Sequence, residues 1–129
     1  MAKKYLIDSN AVIDILSANY HKEGIAFIRK VVDAGINISA ITKIEILGFT
    51  NYDSEYLHAR ENFISNSKIF QIDDNVIDET ISIRRKYKIK LPDAIIAATA
   101  LLNSFILITH NRKDFNGIKG IQIIDPHNL

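Results

Sequence analysis

Apolar and polar positions alternate along this chain in short blocks that predict strands and helices in turn. Five short runs of strand length stand at 5–7, 36–39, 68–72, 105–108 and 121–124. Between them, apolar residues recur every three or four positions, which is the spacing of a helix that buries one face. Strands that alternate with helices predict an α/β fold with a parallel sheet covered on both faces. We therefore predict a three-layer α/β/α domain with a central parallel sheet of about five short strands.

The predicted helices begin at residues that suit helix capping. Thr42 and Glu45 have the spacing of a capping box, so a helix is predicted to begin there. Asp73 and Asp74 can cap a helix that runs to Tyr87, and a further helix is predicted over 52–66. On the helix over 52–66, the residues predicted to face the core are Tyr56, Phe63 and Ile64. The helix that Asp73 and Asp74 cap carries the apolar residues Val76, Ile77, Ile81 and Ile83.

The segment 92–103 stands out because it carries little polar surface after its first turn. Pro92 suits the start of a helix, where its missing N–H has no intrahelical partner to lose, and Asp93 lies beside it. From Ala94 onward nearly every residue is small or apolar, which is typical of a helix at the centre of a core. Asp93 is therefore predicted to lie at the mouth of that core.

Composition is that of an ordinary globular domain, and we predict a single domain over residues 1–129. Hydrophobic residues make up 47% and charged residues 24%, and the net charge is +1, so any surface that binds nucleic acid must be local. The chain has no cysteine, which excludes disulfides and thiolate chemistry. We see no signal sequence and no apolar run of the about 20 residues that a spanning helix needs. We therefore expect a soluble, cytoplasmic protein.

Four acidic residues fall where an open α/β sheet places its working site, outside the carboxyl ends of the strands. Asp8 follows the first strand, and Glu45 lies near the start of the helix after the second. Asp93 begins the helix before the fourth strand, and Asp114 lies in the loop after it. Four acids at one rim repel one another unless a cation compensates them. Oxygen ligands of this kind suit Mg²⁺ or Mn²⁺.

Each of these acids also has an ordinary structural explanation. Asp8 can cap the helix that follows it, and Glu45 can complete a capping box with Thr42. Asp93 can favour a helix N-terminus through the helix dipole, and Asp114 can be a turn residue. The residue pattern alone therefore leaves both metal ligation and local structure open.

Four blocks of sequence, in a fixed order, resemble one protein family. They are Leu6-Ile7-Asp8-Ser9-Asn10, a block at 38–48 that contains Glu45, a block at 91–100 that contains Asp93, and a block at 107–115 that contains Asp114. Together they resemble PIN-domain ribonucleases, specifically the VapC-type toxins of bacterial and archaeal toxin–antitoxin modules. The similarity covers nearly the whole chain, and the ordered set is much more specific than Asp-Ser-Asn alone.

The resemblance implies a PIN-like fold with a Mg²⁺ or Mn²⁺ site formed by Asp8, Glu45, Asp93 and Asp114. It implies that the hydroxyls of Ser9 and Thr109 orient carboxylates or phosphate. Asn111 occupies a position where some members place a polar or acidic ligand. His110 departs from the family, whose members often have arginine there. We interpret His110 as an exposed loop histidine, with metal ligation as the alternative.

The implied activity is that of an endoribonuclease in which metal-activated water hydrolyses the RNA phosphodiester. A chain of net charge +1 needs a local basic surface to bind RNA, and basic residues cluster at 84–90, just ahead of Asp93, and at 112–113, beside Asp114. Arg84 and Lys86 also suit a solvated helix end. The residues that we expect to contact RNA are Lys88, Lys90, Arg112 and Lys113.

By the same resemblance, the expected partners are RNA, a cognate antitoxin and a second copy of the chain. Two alternatives keep the fold: a PIN nuclease of RNA processing, and a PIN-like binding module without catalytic activity. A response-regulator receiver shares the layered architecture but needs a phosphoacceptor Asp after the third strand and a Lys after the fifth. Asp73 is present, whereas Pro126 and His127 follow the fifth strand.

Overall fold

Five short strands lie at the centre of the fold in the computed structural model, which describes residues 3–49 and 53–129. They are β1 (Tyr5–Ile7), β2 (Ile36–Ser39), β3 (Ser67–Phe70), β4 (Ile106–Ile108) and β5 (Gln122–Ile124). β1, β4 and β5 pair in parallel in that order, and β2 pairs in parallel with β3. The Asn37 side-chain amide on β2 donates to the Tyr5 carbonyl oxygen on β1 at 2.9 Å. The predicted parallel sheet is therefore confirmed, as two ladders that lie side by side.

Helices connect the strands along the described chain. They are α1 (Ser9–Leu16), α2 (Lys22–Asp33), α3 (Ala40–Gly48), α4 (Ser54–Ser65), α5 (Asp74–Lys86), α6 (Leu91–Leu102) and α7 (Arg112–Phe115), with a 3₁₀ turn at Pro126–Asn128. The predicted strands and helices are thus present in the predicted order. None of the helices that the structure describes is long and apolar enough to cross a membrane.

The two faces of the sheet carry separate hydrophobic clusters, because successive residues of a strand point to opposite faces. Leu6 and its partner Leu107 belong to a cluster with Val76 and Ile83 of α5 and with the buried residues 94–98 of α6. Ile7 and its partner Ile108 belong to a cluster with buried residues of α1 to α4. Helices therefore cover both faces, as the three-layer prediction requires.

Helix α6 occupies the central position that its sequence predicts. Every residue from Ala94 to Ala100 is buried, and α5 packs along it. Pro92 lies in its first turn, and the backbone N–H of Ala94 donates to the Lys90 carbonyl oxygen at 2.9 Å. Asp93, in the same turn, is only partly buried, so the rigid apolar helix holds this carboxylate at the edge of the core.

The start of α3 differs from the prediction. The N-cap is Ser39, whose Oγ accepts the Ile41 backbone N–H at 3.1 Å, so the helix begins at Ala40 rather than at Thr42. Thr42 is fully buried inside the first turn, and the Glu45 carboxylate accepts a hydrogen bond from Ser9. The predicted capping box is therefore wrong, because the serine that ends β2 already caps the helix.

One side chain predicted to face the core, Tyr56, is exposed instead. Tyr56 is 57% exposed, and Ile77 and Ile81 of α5 are 43% and 44% exposed, because only one face of each helix is buried, where α4 packs against α3 and α5 packs against α6. Tyr52, where the α4 prediction began, lies outside the described residues. The predicted polar loop after β4 contains the single helical turn α7.

Candidate metal centre

The carboxyl ends of β1, β4 and β5 meet at one edge of the sheet. The Asp8 backbone N–H donates to the Ile108 carbonyl oxygen at 3.0 Å, and the Thr109 N–H donates to that of Ile124 at 3.2 Å. Asp8 has extended backbone geometry and is the N-cap of α1. The residues that leave these strands therefore face one another across this edge.

Asp8 is the most firmly held of the predicted acids. It is 3% exposed, and its Oδ1 accepts the Ser9 backbone N–H at 2.7 Å. Its Oδ2 accepts the Asn10 side-chain amide at 2.7 Å and the Thr109 hydroxyl at 2.8 Å. Burial raises the pKa of Asp8, and the charge of Glu45 adds to this, while the three hydrogen bonds oppose it. The net pKa is raised, so this carboxylate lacks a compensating positive charge.

Asn10 connects several parts of the site, a role that we did not predict. Its side-chain amide donates to Asp8 and also to the Thr109 hydroxyl, at 3.0 Å. Its side-chain oxygen accepts the His110 backbone N–H at 2.9 Å. The signal in the sequence was the Asp-Ser-Asn turn, from which we assigned no contact to Asn10. The structure shows that it fixes the chain after β4 to Asp8.

Ser9, at the start of α1, contacts Glu45, which lies in α3. The Ser9 hydroxyl lies 2.6 Å from the Glu45 Oε1 and 3.2 Å from the Thr42 hydroxyl oxygen. Thr42 is buried, whereas Glu45 is exposed, so the serine connects the interior to a carboxylate that faces solvent. Thr42 is a second contributor that we had interpreted only as a helix cap.

Asp93 reports most clearly on the electrostatics of the site. Its pKa is raised to about 6, first by burial and then by the charges of Asp8, Asp114 and Glu45, in that order. Lys90 opposes the shift weakly. The structure therefore brings the other three predicted acids close enough to Asp93 for their charges to repel it. The mutual repulsion is what a divalent cation would relieve.

Asp114 and Asn111 lie on the short helix after β4. Asp114 is in the first turn of α7, and its side chain is exposed. Asn111 is the N-cap by position, but its side chain makes no capping hydrogen bond. Its backbone N–H donates to the Thr109 hydroxyl at 3.1 Å. Asn111 thus contacts the site through its backbone, and a role for its side chain stays a prediction.

The acids do not form a closed cage. Over residues 3–49 and 53–129, one group of three acidic or histidine side chains has ligand atoms within 4.8 Å of one another, and it is His110, Asp125 and His127. The four acids are therefore spread around a site that an ion and its bound waters could fill. Carboxylate oxygens with several waters are the ligation that Mg²⁺ favours, so the donor chemistry fits.

A groove with basic side chains adjoins Asp93 and Asp114. It has a volume of about 460 Å³ and is lined by Arg84, Lys88, Ile89, Lys90, Asp93, Lys113 and Asp114. Three of the four basic residues predicted to contact RNA line this groove, and Arg112 does not. Arg84, which was interpreted as equally suited to a solvated helix end, lines it as well.

The fold is that of a PIN domain. The family model for the PIN domain matches residues 5–120, so the chain belongs to the PIN-domain family, as the sequence blocks predicted. Membership of the PIN-domain family excludes the alternative of a response-regulator receiver. Comparison with curated proteins gave no significant match.

Solved structures with the same fold include several toxin–antitoxin complexes. A chain of the "Toxin-antitoxin complex from Klebsiella pneumoniae" is 34% identical, with a TM-score of 0.73, over 95% of this chain and 98% of that one. A chain of DNA-bound VapBC from Salmonella typhimurium is 24% identical, with a TM-score of 0.81, over 97% and 99%. A chain of VapBC-1 from nontypeable Haemophilus influenzae is 23% identical, with a TM-score of 0.75, over 95% and 97%. These likenesses agree with the predicted VapC-type PIN domain.

Proposed function

We propose that the protein is a Mg²⁺- or Mn²⁺-dependent endoribonuclease and the toxin of a toxin–antitoxin module. The observation that supports this most is the raised pKa of Asp93, caused by burial and by the charges of the three other acids. In a PIN domain, such a set of acids at the carboxyl ends of the strands favours binding of a divalent cation. Catalysis by metal-activated water needs ligands of this kind.

In this proposal, Asp8, Glu45, Asp93 and Asp114 hold one or two divalent ions, partly through water. A bound ion lowers the pKa of water and stabilises the leaving oxygen of a phosphodiester. The chain's contribution is to fix the ligands. Three donors hold both oxygens of Asp8, and the Ser9 hydroxyl holds Glu45 at 2.6 Å. Water attack on phosphorus with departure of the 3′-oxygen leaves a 5′-phosphate and a 3′-hydroxyl.

The basic groove supports RNA as the substrate. Lys88, Lys90 and Lys113 line the same groove as Asp93 and Asp114, so a phosphate held by these lysines would lie beside the acids. Because the net charge of the chain is only +1, this local arrangement carries the attraction for RNA. We assign Arg84 to the same surface and give Arg112 a weaker contribution, since it does not line the groove.

A second groove supports the antitoxin as a partner. It has a volume of about 350 Å³ and is lined by Ser9, Asn10, Ile13, Glu45, Ile46, Phe49 and Arg60. Apolar side chains there adjoin the acid Glu45, which suits a segment that places apolar residues in the groove and a basic residue near the acids. The related chains come from structures named as toxin–antitoxin complexes, which favours this role over RNA processing.

The two remaining expectations are a second copy of the chain and a cytoplasmic location. The exposed Ile77 and Ile81 are one turn apart on α5 and form an apolar strip that a homodimer could cover. The absence of a membrane-crossing helix among the described residues is compatible with a cytoplasmic nuclease.

The experiment that tests the activity is cleavage of RNA by the purified protein with Mg²⁺, with Mn²⁺ and with a chelator. We expect cleavage only with metal, and a loss of at least about 100-fold in Asp8→Asn and in Asp93→Asn, because each removes a charged ligand. Asp33→Asn, at the exposed end of α2, is the matched control and should cleave normally. Normal cleavage by Asp8→Asn or Asp93→Asn, or cleavage in the chelator, would contradict the proposal. A protein that binds Mn²⁺ and RNA without cleavage would be the PIN-like binding module.

A further inference from the structure

A second group of potential metal ligands lies beyond the four acids. His110 follows Thr109 at the end of β4, and Asp125 and His127 follow β5. One ring nitrogen of each histidine and one carboxylate oxygen of Asp125 lie within 4.8 Å of one another. The sheet brings these residues together because β4 and β5 pair in parallel and end at the same edge. None of the three belongs to the proposed nuclease site.

The closest pair in this group has nearly the spacing of two ligands on one ion. The His110 Nδ1 lies 3.0 Å from the Asp125 Oδ2. Two ligand atoms at about 2.0–2.1 Å from a tetrahedral zinc ion are about 3.3–3.4 Å apart, so this pair has to open by only a few tenths of an ångström to share one ion. The His110 side chain is 61% exposed, so an ion can reach this pair from solvent without any rearrangement of the core.

Asp125 is a buried carboxylate that no lysine or arginine of the described residues neutralises. Its side chain is 3% exposed, and its Oδ1 accepts the His127 backbone N–H at 3.0 Å. In the described part of the chain, no lysine or arginine forms an ion pair with it, and His110 is the one side chain paired with it. A buried carboxylate is stabilised by pairing or by a metal, so this oxygen is suited to a cation.

His127 is held in place by a hydrogen bond at one ring nitrogen and by packing of its ring. Its Nε2 lies 2.9 Å from the Asp14 Oδ2, which leaves Nδ1 as the ring nitrogen with a free lone pair. Its ring packs against Tyr20 and His110, with centroid distances of 4.6 Å and 4.7 Å. Burial raises the pKa of Tyr20, and the charges of Asp14 and Asp125 raise it further, so negative charge is in excess here.

We propose that His110, Asp125 and His127 form a zinc site that is distinct from the four-acid site. Two imidazoles and one carboxylate are a ligand set that Zn²⁺ accepts, with water in the fourth position, whereas Mg²⁺ favours oxygen ligands alone. The carboxylate of Asp14 supplies the hydrogen bond that zinc-ligating histidines usually make through their second nitrogen.

A zinc ion at this site would join the carboxyl end of the chain to the rim of the sheet. Asp125 is the N-cap of the 3₁₀ turn, His127 lies within that turn, and Asp14 belongs to α1. The His110 backbone N–H donates to Asn10, which in turn donates to Asp8, so the ion would stiffen a neighbour of the acids without contacting them. The zinc site does not depend on the proposed nuclease activity.

The test is calorimetric titration of Zn²⁺ into tag-free, chelator-treated full-length chain that carries Asp93→Asn and Glu45→Gln. These changes weaken the acid site and leave the histidines untouched. We expect one Zn²⁺ per chain. Adding His110→Ala should weaken binding at least about 10-fold, the lower limit for loss of a group that merely orients a ligand. His58→Ala, at an exposed histidine of α4, is the matched control and should bind Zn²⁺ normally.

Ring ¹⁵N spectra of the histidines give an independent readout. Zinc should move the signals of His110 and His127 and leave that of His58 in place. Zn²⁺ affinity that is unchanged in His110→Ala, or equally weakened in His58→Ala, would overturn the proposal. The proposal would also be overturned if the Zn²⁺ titration gave no heat of binding and neither the His110 nor the His127 ring signal moved. Because His110 is largely exposed, its replacement leaves the core intact, and circular dichroism checks this.

Discussion

The repulsion among the acids predicts an unusual effect on the stability of the metal-free protein. Asp93→Asn removes the negative charge of a carboxyl group whose pKa is raised from 3.8 to about 6. A group whose pKa is raised on folding binds its proton more tightly in the folded state. The free energy of unfolding therefore falls as pH rises from about 4 to about 6, and it stays low above that window. At pH 7.5 the charged Asp93 destabilises the fold.

The size of this destabilisation follows from the pKa shift of Asp93. A change of about 2 pKa units corresponds to an upper limit of about 3 kcal/mol. Asp93 is partly exposed, so solvent screening reduces this to about 1–2 kcal/mol. An acid in the first turn of a helix also gains about 0.3–1 kcal/mol from the helix dipole, which is the smaller contribution. We therefore expect Asp93→Asn to raise the free energy of unfolding at pH 7.5 in a chelator.

Urea denaturation of the wild type and of Asp93→Asn, at pH 7.5 and at pH 4.5, measures this difference. The free energy of unfolding of the variant should exceed that of the wild type by about 1–2 kcal/mol at pH 7.5. The difference should shrink at pH 4.5, where Asp93 is protonated in the folded wild type. Asp74→Asn is the matched control, since Asp74 lies in the first turn of α5 and should show no gain. A variant that is less stable than the wild type at pH 7.5, or a gain that is independent of pH, would refute the reasoning.

Three further predictions concern the support of the sites. Thr109→Val removes the hydroxyl that donates to Asp8 at 2.8 Å, so unfolding by urea should show a loss of about 1–2 kcal/mol, and RNA cleavage should fall. Gly24→Ala places a Cβ 2.7 Å from the Pro126 carbonyl oxygen, and we expect a loss of about 1–3 kcal/mol by the same method, together with weaker zinc binding. Lys90→Ala should weaken RNA binding and lower the slope of log K against log salt by about 0.7, measured by fluorescence anisotropy with a single-stranded RNA.

The strands and their order along the chain could be predicted because their apolar runs are short and well separated. The run at 105–108 is continuous and becomes the buried strand β4, and α6 is apolar all round because it packs at the centre. The helix faces were less predictable. Ile77 and Ile81 repeat with helical spacing, but the buried face of α5 carries Val76 and Ile83 instead. Spacing alone does not say which of two apolar stripes is buried.

The acids of the candidate site could be predicted from their places at the ends of strands and helices. What could not be predicted was the network that holds them. Asn10 contacts Thr109 across 99 positions of sequence, and His110 meets Asp125 and His127 only because β4 and β5 end together. Sequence spacing carries no signal for such contacts, since they depend on the pairing of strands. For that reason His110 was interpreted as an exposed loop residue, which its exposure bears out, while its partners were missed.

The claim that these acids support hydrolysis of RNA by water is tested most directly by the chemical ends of the cleaved RNA. A defined RNA would be incubated with the protein and Mg²⁺, and the fragments analysed for terminal phosphate by mass spectrometry. The account predicts 5′-phosphate and 3′-hydroxyl ends, formed by the wild type and absent with Asp93→Asn. Fragments that end in a 2′,3′-cyclic phosphate would contradict it, because such ends require attack by the RNA's own 2′-hydroxyl.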